Sequence, residues 1–78
     1  MNLTEYNNFV GLDMEATGKK VAELIETSGL TDREIAELMH LSVQSINRWR
    51  HGKSLPDMEN LFILKQILGV RMDDFFDA

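Results

Sequence analysis

The stretch "TDREIAELMHLSVQSINRWRHGKSLP", residues 31–56, holds two helix-start signals eleven residues apart. At the first, Thr31 can accept a hydrogen bond from the backbone amide of Glu34, whose carboxylate can accept one from the amide of Thr31. Ser42 offers the same cap to a second helix, although the acidic partner three residues later is missing. A leucine precedes each cap, as in the hydrophobic staple at the start of many helices. The stretch therefore predicts two short helices joined by a tight turn.

The second half of this stretch contains no acidic residue. The chain as a whole has 13 Asp and Glu against 8 Lys and Arg, a net charge of −5. Such a balance by itself argues against a nucleic-acid partner. Residues 40–56, however, contain Arg48, Arg50, Lys53 and both histidines without any carboxylate. We therefore expect one positive surface on an otherwise acidic protein.

Helix signals on both sides of this stretch predict an all-α fold. Upstream, Asp13 can cap a helix that runs to Ser28. Downstream, Asp57 can cap a fourth helix that ends at Gly69, because glycine readily adopts the left-handed conformation that ends helices. Residues 71–77 are typical of one further short turn of helix.

Length and composition limit the architecture. A chain of 78 residues without cysteine has room for one domain, which must be held by its hydrophobic core without disulfides or thiolate metal sites. We expect a five-helix domain over residues 13–78, preceded by an arm, residues 1–12, that is either loose or packed on the domain. The absence of cysteine, of a secretion signal and of a membrane span predicts a cytoplasmic protein that does not contact the membrane.

The two short helices have the spacing of a helix-turn-helix unit, predicted over residues 32–51. In such a unit the second helix lies in the major groove of DNA and the first helix crosses the backbone. Two helices joined so tightly must approach closely, and Ala36 supplies a small residue at the crossing. The predicted core of the unit consists of Ile35, Met39, Leu41, Ile46 and Trp49.

The second helix of the unit, residues 43–51, has an outward face suited to reading bases. With Ile46 and Trp49 directed inward, the helical period places five residues on the opposite side. Asn and Gln amides pair with adenine, an Arg guanidinium pairs with guanine, and an exposed valine can touch a thymine methyl. The five outward residues are Val43, Gln44, Asn47, Arg48 and His51.

The sequence at this point resembles the phage-repressor and Cro-like family of helix-turn-helix DNA-binding domains, also called Xre-type regulators. The resemblance is most specific in "SINRWRHGKSLP" and "NLFILKQILGV". It implies a lambda-repressor-like five-helix bundle that binds double-stranded DNA as a homodimer, represses or otherwise regulates transcription and has no catalytic activity. By position it implies base contacts from Val43, Gln44, Asn47 and Arg48, and phosphate contacts from Thr31, Ser42, His51 and Lys53.

Two residues depart from the family pattern. The turn usually holds a left-handed glycine, whereas here it holds His40, which can adopt that conformation at a cost of about 1 kcal/mol. The first residue of the first helix is often a glutamine that helps to hold a phosphate. Asp32 stands there instead, and its negative charge would repel a phosphate. We therefore expect weaker binding, or a helix that sits differently on the DNA backbone.

The sequence leaves the roles of some residues open. Arg50 can contact a phosphate or pair with a carboxylate of the upstream helix that runs to Ser28, such as Glu26. Four apolar residues outside the predicted core form either a dimer interface or a surface for the arm. They are Phe62, Ile63, Phe75 and Phe76.

A second class of function also fits the sequence. The acidic net charge and Asp32 favour a protein-interaction module, such as an antitoxin or an adaptor, that binds DNA weakly or not at all. An enzyme is not expected, because the sequence has no nucleophilic set and no glycine-rich phosphate loop. We also expect no cofactor and no metal, since the two histidines are eleven residues apart and do not have the spacing of zinc ligands.

Overall fold

The computed structural model describes residues 14–76, which form four α-helices and one 3-10 helix. The helices are α1 (Met14–Ser28), α2 (Asp32–Met39), α3 (Val43–Arg50) and α4 (Met58–Leu68), followed by the 3-10 helix Met72–Phe75. No strand occurs in this part of the chain, so the predicted all-α class is confirmed. The predicted arm, residues 1–12, and the predicted cap Asp13 lie outside the described residues.

The prediction of five α-helices requires a correction at the end of the chain. Asp74 donates its backbone amide to the carbonyl of Arg71, and Phe76 donates to Asp73. Both hydrogen bonds span three residues, which is the pattern of a 3-10 helix. The segment is thus one tight turn, with the carboxylate of Asp74 accepting from the Arg71 amide at 2.8 Å.

Side-chain caps start α2 and α4 where the sequence predicts them. Thr31 Oγ1 accepts from the Glu34 amide at 3.1 Å, and Glu34 Oε1 accepts from the Thr31 amide at 3.0 Å. The hydrogen bond from the Thr31 backbone lowers the pKa of Glu34 below its ordinary value. Asp57 Oδ1 caps α4 by accepting from the Asn60 amide at 2.9 Å. These caps satisfy amides that a helix start would otherwise leave without a partner.

The turn between α2 and α3 depends on His40. This residue has φ 57° and ψ 42°, the left-handed conformation that the sequence analysis expects. Its amide and that of Leu41 turn back to the last carbonyls of α2, with Leu41 donating to Ala36 at 3.0 Å. Gly29 and Gly69, with φ 75° and 70°, end α1 and α4 in the same conformation.

All five elements contribute to one hydrophobic core. α3 packs against α1 and α2, and the 3-10 helix packs against α1 and α4. The predicted core of the helix-turn-helix unit is confirmed except that Leu41 is only partly buried at its edge. The buried apolar residues are Val21, Ile25, Ile35, Ala36, Met39, Ile46, Trp49, Leu61, Leu64 and Phe75.

Phe75 corrects one prediction about the surface. The sequence places it with Phe62, Ile63 and Phe76 in an interface, but its side chain is fully buried. The reason is that the 3-10 helix folds back onto α1 and α4, and this turns Phe75 into the core. The other three side chains are exposed, as expected.

Two kinds of feature are missing from the described residues. None of the helices within 14–76 has both the length and the hydropathy of a membrane span. Nowhere in this part of the chain do three His, Asp or Glu side chains lie together as metal ligands would.

Candidate nucleic-acid interface

Helix α3 is held by its cap at one end and by apolar contacts along one side. Ser42 Oγ accepts from the Ser45 amide at 3.2 Å, and the hydroxyls of Ser42 and Ser45 are hydrogen bonded at 2.9 Å. The Ser45 hydroxyl thus stands where the acidic residue of a full capping box would be. Ile46 and Trp49 are buried against the rest of the core. The orientation of α3 is therefore fixed, and its other side faces outward.

The outward side of α3 carries a shallow, open depression. Its lining consists of Val43, Gln44, Asn47, Arg48 and Lys53. The structure therefore brings the four residues that the sequence assigns to base contacts together with one that it assigns to phosphate contact. All five side chains are exposed.

The loop after α3 places Lys53 beside this face. Gly52 has φ 68°, and Lys53 then donates its backbone amide to the carbonyl of Arg48 at 2.8 Å. This hydrogen bond folds the loop back over the end of α3. Within residues 14–76 the side chains of Arg48 and Lys53 form no ion pair or hydrogen bond. Two positive charges of the depression are thus available to a ligand.

The other three predicted phosphate contacts are exposed but lie outside the depression. The hydroxyl oxygens of Thr31 and Ser42 cap α2 and α3. His51 Nδ1 lies 2.8 Å from the carbonyl of Asn47, and because a carbonyl only accepts, Nδ1 is the donor and carries the proton. Nε2 of His51 then remains for a ligand.

Arg50 lies on the flank of α3 and is bound within the protein. Its Nε donates to Asp32 Oδ1 at 2.6 Å, its Nη1 to Glu26 Oε2 at 2.5 Å and its Nη2 to the carbonyl of Leu30 at 2.7 Å. The arginine side chain is 20% exposed. Of the two roles that the sequence leaves open, the structure therefore shows pairing with Glu26.

Asp32 is a second partner of Arg50 that the sequence analysis missed. Burial disfavours the charged form of Asp32, but hydrogen bonds from Arg50 and Asn47 outweigh it and hold the pKa of this carboxyl below its ordinary value. The hydrogen bond to Asp32 in turn raises the pKa of Arg50. Asp32 is thus ionised and paired at neutral pH. Arg50 offsets this charge only in part, because the same guanidinium also pairs with Glu26, and the expected effect of Asp32 on phosphate binding stays a prediction.

No local signal in the sequence could have identified this pair. Asp32 and Arg50 are eighteen residues apart and lie on different helices. They meet because α2 and α3 pack with the first residue of α2 beside the last residue of α3. The sequence indicated only that Arg50 could pair with a carboxylate of α1.

Comparison with known proteins gives one family and one curated relative. The helix-turn-helix family model matches residues 21–75. The HTH-type transcriptional activator BcrR of Enterococcus faecalis is 30% identical over 60 residues, which are 77% of this chain and 29% of that protein. The chain thus spans less than a third of the length of this relative. No solved structure gives a significant match.

The match covers all of α2 to α4 and the 3-10 helix, together with the second half of α1. It also includes the capped turn and the outward face of α3. The fold, the left-handed turn and the family match agree, and this chain belongs to the Xre-like helix-turn-helix family of DNA-binding domains.

Proposed function

We propose that this protein binds double-stranded DNA in a sequence-specific manner, with α3 in the major groove, and regulates transcription. The observation that carries the proposal is the depression on α3, whose lining consists of three hydrogen-bonding side chains, one small apolar side chain and Lys53. The nearby carboxylate of Asp32 is bound to Asn47 and Arg50. An α-helix fits the major groove, and base edges there are read by side chains of these types. The name of the Enterococcus relative, a transcriptional activator, supports the regulatory role.

Each residue of the depression has a defined part in this proposal. Arg48 pairs with guanine, Gln44 and Asn47 pair with adenine, and Val43, which is 44% exposed, contacts a thymine methyl. Lys53 binds a phosphate next to the end of α3. Thr31 and Ser42 contact phosphates on either side through helix N-termini, and the His51 ring donates to a phosphate when Nε2 carries a hydrogen as well as Nδ1.

We also propose that the protein binds its site as a homodimer. Phe62 and Ile63 on α4 and Phe76 after the 3-10 helix are 48%, 37% and 41% exposed. A contact between two copies would cover these side chains, and large exposed apolar patches commonly mark such contacts. A dimer would place two α3 helices about one turn of DNA apart, or roughly 34 Å. Sedimentation of the wild type and of a Phe62→Glu variant tests this part, and a wild type that stays monomeric at DNA-binding concentrations contradicts it.

Selection of bound duplexes from a random pool tests DNA recognition. The expected result is a recurring motif that contains guanine and adenine in the half-site. A titration with random duplex at about 50 mM salt accompanies it, because low salt strongly favours phosphate contacts. No binding in the titration and no motif in the selection would contradict the proposal and favour the interaction module instead.

A further inference from the structure

The side chain of Asn47 is bound at one end to another helix. Its Nδ2 donates to Asp32 Oδ2 at 3.1 Å, across fifteen residues of sequence. The second oxygen of the same carboxylate accepts from Arg50 Nε at 2.6 Å. Asp32 is only 18% exposed, so the acceptor that holds Asn47 is itself fixed.

The chemistry of Asp32 determines which way the Asn47 carboxamide faces. An ionised carboxylate only accepts hydrogen bonds, so the NH₂ group of Asn47 must face it and the carbonyl oxygen must not. The lowered pKa of Asp32 keeps that carboxylate ionised at neutral pH. Within residues 14–76, Asn47 Oδ1 accepts no hydrogen bond and remains available.

Gln44 provides an internal comparison on the same face. It lines the same depression, yet in the described part of the chain its carboxamide forms no hydrogen bond. A free carboxamide can turn over and exchange its donor and acceptor ends at little cost. Gln44 can therefore present either end outward, whereas turning Asn47 over would break its hydrogen bond to Asp32.

We propose that Asp32 is a positioning residue for base recognition, which fixes the donor and acceptor of Asn47 in one order and so makes Asn47 selective for adenine. The inference rests on the proposed function and adds a residue that does not touch the DNA base. Bidentate pairing with adenine requires Asp32 to take the Nδ2 hydrogen that is trans to Oδ1. The cis hydrogen and Oδ1 are then left as a pair that matches N7 and N6 of adenine.

This arrangement also predicts which bases are rejected. Guanine presents two acceptors in the major groove, N7 and O6. A carboxamide held in the order given by Asp32 would place Oδ1 against one of them, without a hydrogen bond. Discrimination by one bidentate side chain is about 5- to 150-fold in affinity.

Selection from a random pool with five proteins tests the inference. They are the wild type, Asn47→Ala, Asp32→Asn, Glu26→Gln and the double variant that combines Asp32→Asn with Asn47→Ala. Asn47→Ala identifies the base position that Asn47 reads. An asparagine at position 32 can still accept from Arg50, but its NH₂ group allows Asn47 to turn over. Glu26→Gln is the matched control, because it removes a charged partner of Arg50 without touching Asn47.

The expected result is a change at a single base position. Asp32→Asn should lose adenine preference at the position found with Asn47→Ala, by at least about fivefold, without losing affinity for random duplex. Glu26→Gln should select the wild-type motif. In the double variant, Asp32→Asn should change base preference no further than Asn47→Ala does alone.

The possible failures are distinguishable. If the wild type selects no motif, the proposed function fails and the inference fails with it. If the wild type selects a motif and Asp32→Asn selects the same one with the same preference, only the inference is overturned. A purely structural role of Asp32 would weaken all base positions alike, and this outcome also overturns it.

A measurement on the wild type covers the case in which Asp32→Asn does not fold. ¹⁵N relaxation of the side-chain amides should give Asn47 an order parameter near that of rigid backbone, about 0.85, and Gln44 one below about 0.6. Equal mobility of the two carboxamides would contradict the fixed orientation of Asn47.

Discussion

Arg48 and Arg50 lie two residues apart on the same helix, but their surroundings differ completely. Arg50 is 20% exposed and donates to Asp32, Glu26 and the carbonyl of Leu30. The side chain of Arg48 has no partner within residues 14–76 and lines the open depression of α3. A helix turns by about 100° per residue, so a step of two residues moves a side chain from an inner flank to the outer face. The comparison shows that a basic residue in a recognition helix can stabilise the fold or be available to DNA, depending on its place in the helical period.

The largest expected effect separates the two arginines by stability. Arg50→Ala should lower the free energy of unfolding by about 2–3 kcal/mol, because it leaves the largely buried carboxylate of Asp32 without its charged donor. Arg48→Ala should change it by less than about 0.5 kcal/mol, as expected for an exposed side chain without a partner. Urea denaturation of both variants measures the difference. Equal losses of stability would contradict the assignment.

The next largest effect separates Arg48 from Arg50 by DNA binding. Arg48→Ala should cost about 1–3 kcal/mol of affinity for the selected duplex and remove the preference at one base pair. Competition binding with duplexes changed at single positions measures both. An Arg48→Ala variant with unchanged affinity and preference would place Arg48 outside the groove.

Lys53→Ala sharpens the contrast between base and phosphate contacts. It should weaken selected and random duplexes alike and reduce the slope of log affinity against log salt by about 1. Titrations at several salt concentrations give the slope. A loss confined to the selected sequence would show that Lys53 reads a base instead.

Acid should weaken the pairing of Arg50 with Asp32. Within residues 14–76, Arg48 has no such pair to lose. The pKa of Asp32 is lower in the folded protein than its ordinary value, since its hydrogen bonds outweigh burial. Its contribution to stability is therefore complete above about pH 4 and is lost as the pH falls through the folded pKa. Urea unfolding from pH 6 downward should show this loss in the wild type and a smaller one in Asp32→Asn. Identical pH profiles would contradict the pairing.

The smallest effect concerns His40, in the turn before the helix that carries both arginines. His40 holds a left-handed conformation that a side chain disfavours, so His40→Gly should raise stability by about 1 kcal/mol. The motif selected from a random pool should stay the same, because no residue of the depression is changed. A thermal melt and a repeated selection check the two parts, and a lowered melting temperature would indicate that the His40 side chain stabilises the turn.

Local chemistry explains which parts of the fold were predictable. The starts of α2, α3 and α4 follow from caps at Thr31, Ser42 and Asp57, which act within three residues of sequence. The outward position of Arg48 follows from the helical period and from two buried neighbours, Ile46 and Trp49. Patterns of this kind need no knowledge of the tertiary structure.

The other features of the structure depend on contacts between residues that are far apart in sequence. The carboxylate that pairs with Arg50 is fixed by how α2 meets α3, and Asp32 looks in sequence like any acidic residue in a first helical turn. The burial of Phe75 depends on the direction in which a four-residue 3-10 helix folds back, and no periodicity is readable over so few residues. The predicted base contacts share one surface, but the sequence could not show that Asn47 is held by Asp32.

The proposed function depends on contact between the outward face of α3 and DNA. The most direct measurement is a titration of ¹⁵N-labelled protein with the selected duplex, followed by backbone amides and by the side-chain amides of Gln44 and Asn47. With α3 in the groove, the largest shifts should occur at residues 42–53, with small ones on α4. Shifts concentrated around Phe62 and Ile63, with α3 unchanged, would contradict it.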